Sequence, residues 1–315
     1  MPKSPSLFSF FAKSETSEPT RTQISEIRAW AEGITKKLPP LSAPLSTKSF
    51  NTTRGIHGKR RAGSGDSFWQ FRPFQEGDQQ QDIDWRQSAK SDHLFVRQQE
   101  WESAQNVWIW CDTSPTMDYR SKHTLKTKLE TSLTLSLATA MAYSEGGEKI
   151  GLLGVDEQTS LGQFGLERFT NSLDHERERA NILPQKLPKT RQAHFVIFSD
   201  FLKDKEELDH FFETVASLEL TGHLIQILDP VEMDFPFKGR VKFQDITSDD
   251  SFLAGRANDL KANYDDALKD WQSYLTTKAT AIGWHFNTQR TDVPLSQALL
   301  DILATSAEYA AMGGQ

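Results

Sequence analysis

The sequence predicts an α/β protein built on a doubly wound, mostly parallel sheet with helices on both faces, preceded by a strand- and turn-rich segment. Three observations lead there. Short, nearly continuous apolar runs recur at residues 107–111, 150–155, 195–198 and 224–228, the pattern of strands buried on both faces of a parallel sheet. Between them lie stretches with apolar residues three and four apart, as in amphipathic helices that cover such a sheet. Polar residues, Asp112 and the pair Ser199-Asp200, stand at the carboxyl ends of two of these runs, the edge at which open α/β sheets bind ligands.

Taken in order, residues 1–20 are rich in Ser, Thr, Pro and Lys and read as a loose tail. Within residues 21–41, Ile24, Ile27, Ala31 and Ile34 recur at helical spacing and Pro39-Pro40 closes the run, which predicts an amphipathic helix docked on the main domain. Residues 42–105 carry Gly55, His57-Gly58, Arg60-Arg61, Gly63, Gly65, Phe68-Trp69 and Arg72 without a long helical period. Strands and turns are expected there, with 94–96 the best strand. Gly-rich turns with arginines can wrap a phosphate, but no Lys-Ser/Thr ending of a P-loop follows. The structural alternative pairs the arginines with Asp78, Asp82 or Asp84, and Trp85 is expected to be buried with its charged neighbours exposed.

Residues 106–312 make the main domain. After the first strand a helix is expected from about Ser121, with Leu125, Leu129, Leu133, Leu137 and Met141 on one stripe and Gly146-Gly147 ending it. A strand at 150–155, an antiparallel partner at 161–164 and a helix at 169–183 follow. Next come the strand at 195–198, a helix marked by Leu208, Phe211, Phe212, Val215 and Leu218, and the strand at 224–228. A short excursion through Asp229-Pro230 and 241–243 leads to a long helix at 260–279, a strand at 284–287 and a helix at 295–309.

At 315 residues, 37% of them hydrophobic and including 20 Phe and 8 Trp, the chain can bury one large core with an added segment. Its net charge of -7 argues against a nucleic-acid partner, because phosphate binding needs a positive field. The single Cys111 lies within an apolar run and reads as a small buried hydrophobe in a reducing compartment. No run of ~18 apolar residues is present, and the apolar stretch at 6–12 is too short for a signal-peptide core, so a soluble, cytoplasmic protein without a membrane span is expected.

If the strand order is 3-2-1-4-5-6, the first and fourth strands are neighbours and Asp112 and Asp200 stand side by side at the switch point. Asp112, Ser114 and Thr116 then present a carboxylate and two hydroxyls at alternate positions of the Asp112-Thr113-Ser114-Pro115-Thr116 loop. These hard oxygen donors suit Mg2+ or Mn2+, with Asp200 supplying a second carboxylate directly or through water. The other reading of the same loop is a turn and helix cap.

Signals for an enzyme are weak. A strand-end Asp followed four residues on by Thr is similar to haloacid dehalogenase-type phosphatases. Those need a second Asp two positions on, where Ser114 cannot act as a general acid at neutral pH. The sequence holds no Gly-x-Ser-x-Gly elbow, His-Glu-x-x-His or nucleotide-binding glycine fingerprint, and Cys111 sits too deep in its strand for a nucleophile. The eight histidines show no metal-ligand spacing, and His194 and His223, at strand starts, are expected at the surface.

Strand, Asp112-x-Ser114-x-Thr116, helix, hairpin, helix and a strand ending in Asp200 resemble the metal-ion-dependent adhesion site of von Willebrand factor A-type domains. Thr116 keeps the hydroxyl where that family usually has Ser. The resemblance implies a further Thr on the loop after the third strand, for which Thr170 is the nearest candidate. Upstream, His57-Gly58-x-Arg60-Arg61, Gly63-x-Gly65, Phe68, Arg72, Gly77-Asp78, Ile83-Asp84-Trp85-Arg86 and Ser88-Ala89 resemble the domain-of-unknown-function 58 family, over roughly residues 40–290. Gln81 and Asp82 depart from it where members often carry Arg. This resemblance implies a MoxR-type AAA+ ATPase as partner, in chaperone-like assembly or maturation of client protein complexes. The leading expectation is a metal-dependent binding module rather than an enzyme. A Mg-dependent phosphate-ester hydrolase at the same cleft and a scaffold with a decayed metal loop are the alternatives.

Overall fold

In a computed structural model of the chain, the structure describes residues 10–12, 22–38, 59–63, 67–74, 83–90, 93–177, 179, 183–184, 186–188, 193–218, 220–246 and 250–312. In chain order the elements are β1 (Phe10–Ala12), α1 (Ile24–Thr35), β2 (Lys59–Gly63), β3 (Ser67–Pro73), α2 (Trp85–Ser88), β4 (Phe95–Ser103) and β5 (Asn106–Cys111). There follow α3 (Lys128–Glu145), β6 (Lys149–Leu152), β7 (Ser160–Leu161), α4 (Gly162–Glu176), β8 (Ala193–Ser199), α5 (Lys205–Ala216) and β9 (Thr221–Leu228). The last are α6 (Pro230–Asp234), β10 (Val241–Asp245), β11 (Ser251–Ala254), α7 (Lys261–Ala281), β12 (His285–Arg290) and α8 (Leu295–Met312).

Six strands form the central sheet in the order β12-β9-β8-β5-β6-β7. All pairs are parallel except β6 with the short edge strand β7. Numbered along the sheet's own strands this is the doubly wound order 3-2-1-4-5-6. The pairing of β5 with β8, Asn106 opposite Ala193 through Cys111 opposite Phe198, brings the two strand-end aspartates to one edge.

Alternation along the strands splits the core in two, because successive side chains leave a strand on opposite faces. Val107, Ile109 and Cys111 face α3, α4, α8 and α1, whereas Trp108 and Trp110 face α5 and α7. Helix α3 lies deepest: fourteen of its eighteen residues are buried, since it is covered by the sheet on one side and by α1 and α8 on the other. A second sheet, β1-β10-β11, sits after α6, and a third, β2-β4-β3, is made by the segment ahead of β5; both are antiparallel. Among the described residues no helix is long and apolar enough to cross a membrane.

Several elements differ from expectation. Helix α3 starts at Lys128 rather than near Ser121, because Thr127 and Glu130 form a reciprocal capping box, Glu130 N to Thr127 Oγ1 at 3.0 Å and Thr127 N to Glu130 Oε2 at 2.8 Å. Leu125, placed on the helical stripe by its spacing, is on the preceding loop and 92% exposed. Helix α4 begins at Gly162, not at 169, since a φ of +60° at that glycine turns the chain straight from β7 into the helix. Phe10–Ala12 of the expected loose tail pairs with β10. The Asp229-Pro230 excursion is a short helix, capped by Asp229 and Glu232 with Pro at its first position.

Trp85 is 65% exposed, not buried. Asp84 caps α2 by accepting from Gln87 N at 2.9 Å, which leaves Ser88 as the inward residue, its hydroxyl accepting from Phe95 N at 2.8 Å. His194 and His223 are each 1% exposed, contrary to a surface role. Helix α8 covers them, and its Ser306 Oγ lies 3.1 Å from His194 Nε2 and 3.4 Å from His223 Nε2. Of the Gly- and Arg-rich motifs, Gly55, His57-Gly58, Gly65, Gly77-Asp78 and Gln81-Asp82 lie outside the described residues.

Candidate metal centre

Asp112 extends β5 by one rung, its amide donating to Phe198 O at 2.8 Å, and the chain then folds back over its own carboxylate. Ser114 N donates to Asp112 Oδ1 at 2.8 Å, an Asx turn that fixes the loop. Ser199, the last residue of β8, donates its hydroxyl to Asp112 Oδ2 at 2.5 Å. Ser114 Oγ and Thr116 Oγ1 lie 3.0 Å apart. Pro115 and Asp118 are exposed and form the outer lip, while Asp112, Ser114 and Thr116 beneath them are 0%, 1% and 4% exposed.

Asp200 follows β8 in the same way. Leu202 N donates to its Oδ1 at 3.0 Å, Gln226 Nε2 of the neighbouring β9 donates to its carbonyl at 3.2 Å, and the Thr116 hydroxyl bonds its carboxylate. Phe201, buried, is held at a φ of +54°, a conformation that costs a bulky residue of order 1–3 kcal/mol and is concentrated at functional sites. The structure thus brings together Asp112, Ser114, Thr116 and Asp200. It does not bring in Thr170, which lies in the middle of α4 with its hydroxyl donating to Leu166 O at 2.7 Å. Thr170 is a helical position, inside the helix already expected at 169–183, and not one on the loop after the third strand.

Three further residues complete the cluster, and the sequence assigned a role to none of them. Besides Ser199 they are Lys128 and Glu232: Lys128 Nζ donates to Glu232 Oε1 at 2.8 Å and to Asp200 Oδ2 at 3.0 Å, with the lysine wholly buried. Two signals were present. Lys128 occupies the first turn of a helix, the end whose dipole disfavours a cation, and Asp229-Pro230-Val231-Glu232 has the spacing of a capping box.

The charges follow from this wiring. Burial works against a charged Lys128, but Asp200 and then Glu232 outweigh it and hold the ammonium above the usual lysine range. Burial likewise pushes Asp200 up, yet the Lys128 charge, the Leu202 amide and the Thr116 hydroxyl together hold it below the usual carboxylate range. Glu232 is pushed up to about 7, by burial first, with Lys128 offsetting only part. Asp200 is therefore the principal counter-ion of Lys128, and Glu232 accepts the second hydrogen bond. Asp112 is different: burial, then the Asp200 charge, push it up to about 6, with Ser199 and Ser114 offsetting part of the rise. Among the described residues no lysine, arginine or histidine pairs with Asp112.

This donor set fits a small hard cation. The Ser114 and Thr116 hydroxyls are hydrogen-bonded to each other at 3.0 Å, a spacing that neighbouring donors of an octahedral ion with oxygens at about 2.1 Å would also have. Among the described residues no group of three or more His, Cys, Asp or Glu is placed to hold a metal; the donors on the Asp112 loop are one carboxylate and the Ser114 and Thr116 hydroxyls. Cys111 takes no part: burial pushes its thiol up to about 12 and its Sγ lies 3.0 Å from Ser132 Oγ, an inert setting for sulfur.

Residues 70–274 match the family described as protein of unknown function DUF58. Uncharacterized proteins from Mycobacterium bovis and from two strains of Mycobacterium tuberculosis are each 24% identical over 236 residues, 67% of this chain and 72% of the relative. Among solved structures, the conserved hypothetical protein BatB from Bacteroides thetaiotaomicron aligns with 65% of this chain and 100% of its own at 11% identity and a TM-score of 0.32. An uncharacterized membrane-spanning protein from Vibrio fischeri aligns with 65% of this chain and 98% of its own at 12% identity and a TM-score of 0.18.

Proposed function

The chain belongs to the DUF58 family of proteins of unknown function; from the geometry of the Asp112 loop and the resemblance of its motifs, we propose that it is a divalent-cation-dependent protein-binding module of von Willebrand factor A type, accessory to a MoxR-type AAA+ ATPase in the assembly or maturation of other protein complexes. One observation carries the reading: Asp112 is a wholly buried carboxylate that no cationic side chain among the described residues neutralises, beside two hydroxyls hydrogen-bonded to each other at 3.0 Å. A buried charge without a partner is expensive, and a bound ion removes the cost.

Asp112, Ser114 and Thr116 would hold Mg2+, or Mn2+ in its place, and the ion would supply positive charge at the sheet edge for a carboxylate of the partner. The chain's own residues prepare that edge. Ser199 orients the Asp112 carboxylate, the Asx turn fixes Ser114, and Thr116 links the loop to Asp200. Leu125, on the connection between this loop and α3, is a 92% exposed apolar side chain. Hydrolysis of a phosphate ester is disfavoured because Ser114 stands where a general acid is needed. The test is recovery of a cognate ATPase by wild type and by Asp112→Ala, each with Mg2+ and with EDTA. Capture by wild type in Mg2+ alone is expected; equal recovery in all four samples sinks the proposal.

A further inference from the structure

We propose that Lys128 is a built-in cation of this site, which keeps Asp200 out of the inner shell of the divalent ion and makes that ion bind weakly until a partner supplies a second carboxylate. The inference rests on the metal-binding reading above and names how that site is regulated.

A lysine at this position is unfavourable on three separate grounds. Its ammonium is 0% exposed, so it forgoes hydration. Its long side chain loses rotamer freedom on burial. It also stands in the first turn of α3, where the helix dipole repels a cation. An apolar residue would fill the same space in a helix that is otherwise core. The compensation lies in the two carboxylates, at 2.8 and 3.0 Å, one from the end of β8 and the other from α6. Without the lysine these would be like charges converging at the sheet edge, an arrangement suited to a divalent ion.

The occupancy of Asp200 then decides the shell. Oδ2 receives Lys128 and Oδ1 receives the Leu202 amide, with the Thr116 hydroxyl as a further donor. Asp112 receives the Ser114 amide and neutral hydroxyls, and no cationic donor among the described residues. Direct coordination therefore falls to Asp112 with Ser114 and Thr116, a shell with one carboxylate. Sites with few charged ligands bind divalent ions weakly and keep their waters, and the neighbouring ammonium repels a dication further. A partner carboxylate restores the missing charge, so ion and partner bind together.

Mn2+ titrations of the full chain by calorimetry test this, with wild type, Lys128→Met, Lys128→Gln and the double variant Lys128→Gln/Asp112→Asn, their folding followed by circular dichroism. The expected result is that Mn2+ binds Lys128→Met or Lys128→Gln about tenfold or more tightly than wild type, and that Asp112→Asn in the double variant removes the gain. Equal or weaker binding by the folded variants overturns the proposal while leaving a wild-type Mn2+ site intact. Should both single variants be unfolded in EDTA, Mn2+ must restore their cooperative melt; failure to do so also overturns it. Absence of Mn2+ binding in wild type and all variants alike removes the metal reading itself, and this inference with it.

Discussion

Asp112 sits where an amide and neutral hydroxyls meet its charge, and its protonation is therefore coupled to folding. Its carboxyl is raised from 3.8 to about 6, and that of Glu232 from 4.5 to about 7. A raised folded-state value means that the contribution to stability is full below the unfolded value and is lost as pH rises through the folded one. Asp200 runs the other way, its lowered value favouring the fold above the ordinary carboxylate range. Between about pH 4.5 and 7.5 Asp200 is already ionised; Asp112 and Glu232 lower stability as pH rises, while His223, pushed down by burial from 6.5 to about 3, raises it and offsets part of the loss. Metal-free protein is expected to lose stability on balance as pH rises across that window, with Asp112 contributing about 2 kcal/mol to the loss. Asp112→Asn should flatten most of the net trend and be more stable than wild type at pH 8 in EDTA. Urea titrations at pH 5 and pH 8 decide it; a wild-type midpoint that is higher at pH 8 contradicts it. Asp112, Ser114, Thr116 and Asp200 were legible in the sequence because strand ends and alternation place them. Lys128 and Glu232 were not, since their contacts with Asp200 and with each other span 72 and 104 residues and no local pattern encodes a pairing at that distance.

At the scale of elements, the start of α3 carries the most consequence, because it positions Lys128. Thr127 and Glu130 close the capping box, and Thr22, just ahead of α1, donates its hydroxyl to Glu130 Oε1, so one carboxylate ties two helices together. The loop before it is held from the far side by Asp229, which accepts from Ser121 N at 2.9 Å and from Thr124 Oγ1 at 3.2 Å. Thr127→Ala is expected to cost about 1 kcal/mol in chemical denaturation. By freeing the first turn, and Lys128 with it, it should also strengthen Mg2+-dependent protection against melting, whereas Thr127→Ser leaves both as in wild type. A Thr127→Ala protein with wild-type midpoint and wild-type Mg2+ response would show that the cap does not position the lysine. The strand positions were legible because a short continuous apolar run bounded by polar turns and rich in β-branched and aromatic residues, as at 107–111 and 195–198, is the pattern of a strand buried on both faces. Helix starts were less so: Leu125 continues the stripe of α3 in spacing, and only the capping box two residues further on, a polar feature, stops the helix short of it. The early start of α4 depends on a single positive φ at Gly162, which periodicity cannot reveal.

On the scale of the whole molecule, the folded unit is larger than the stretch that matches the family. Residues 70–274 include β5, β6, β8 and β9 but neither α1, β12 nor α8. Strand β12 closes the sheet beside β9, with His285 opposite His223 through Arg290 opposite Leu228. Just before it, Trp284 is 3% exposed and donates its indole N–H to Leu220 O at 2.9 Å. Helices α1 and α8 cover α3 with Ile27, Leu299, Ile302 and Leu303, all between 0% and 2% exposed. That a docked amphipathic helix precedes the main domain was readable from Ile24, Ile27, Ala31 and Ile34; that it roofs the most buried helix was not, because α3 shows no polar face to announce an outer layer or to exclude one. Burying a large apolar side chain is worth about 1.5–3 kcal/mol, so these four residues and Trp284 together contribute roughly 8–15 kcal/mol, as much as the whole net stability of an ordinary domain. A fragment of residues 70–274 is therefore expected to show no cooperative thermal transition. A fragment of residues 22–312, which keeps α1, β12 and α8 and loses only β1, is expected to melt cooperatively. Calorimetry on the two fragments separates the cases, and a sharp transition from residues 70–274 would mean that the family-matched stretch is a domain in its own right and that α1 and α8 are additions to it.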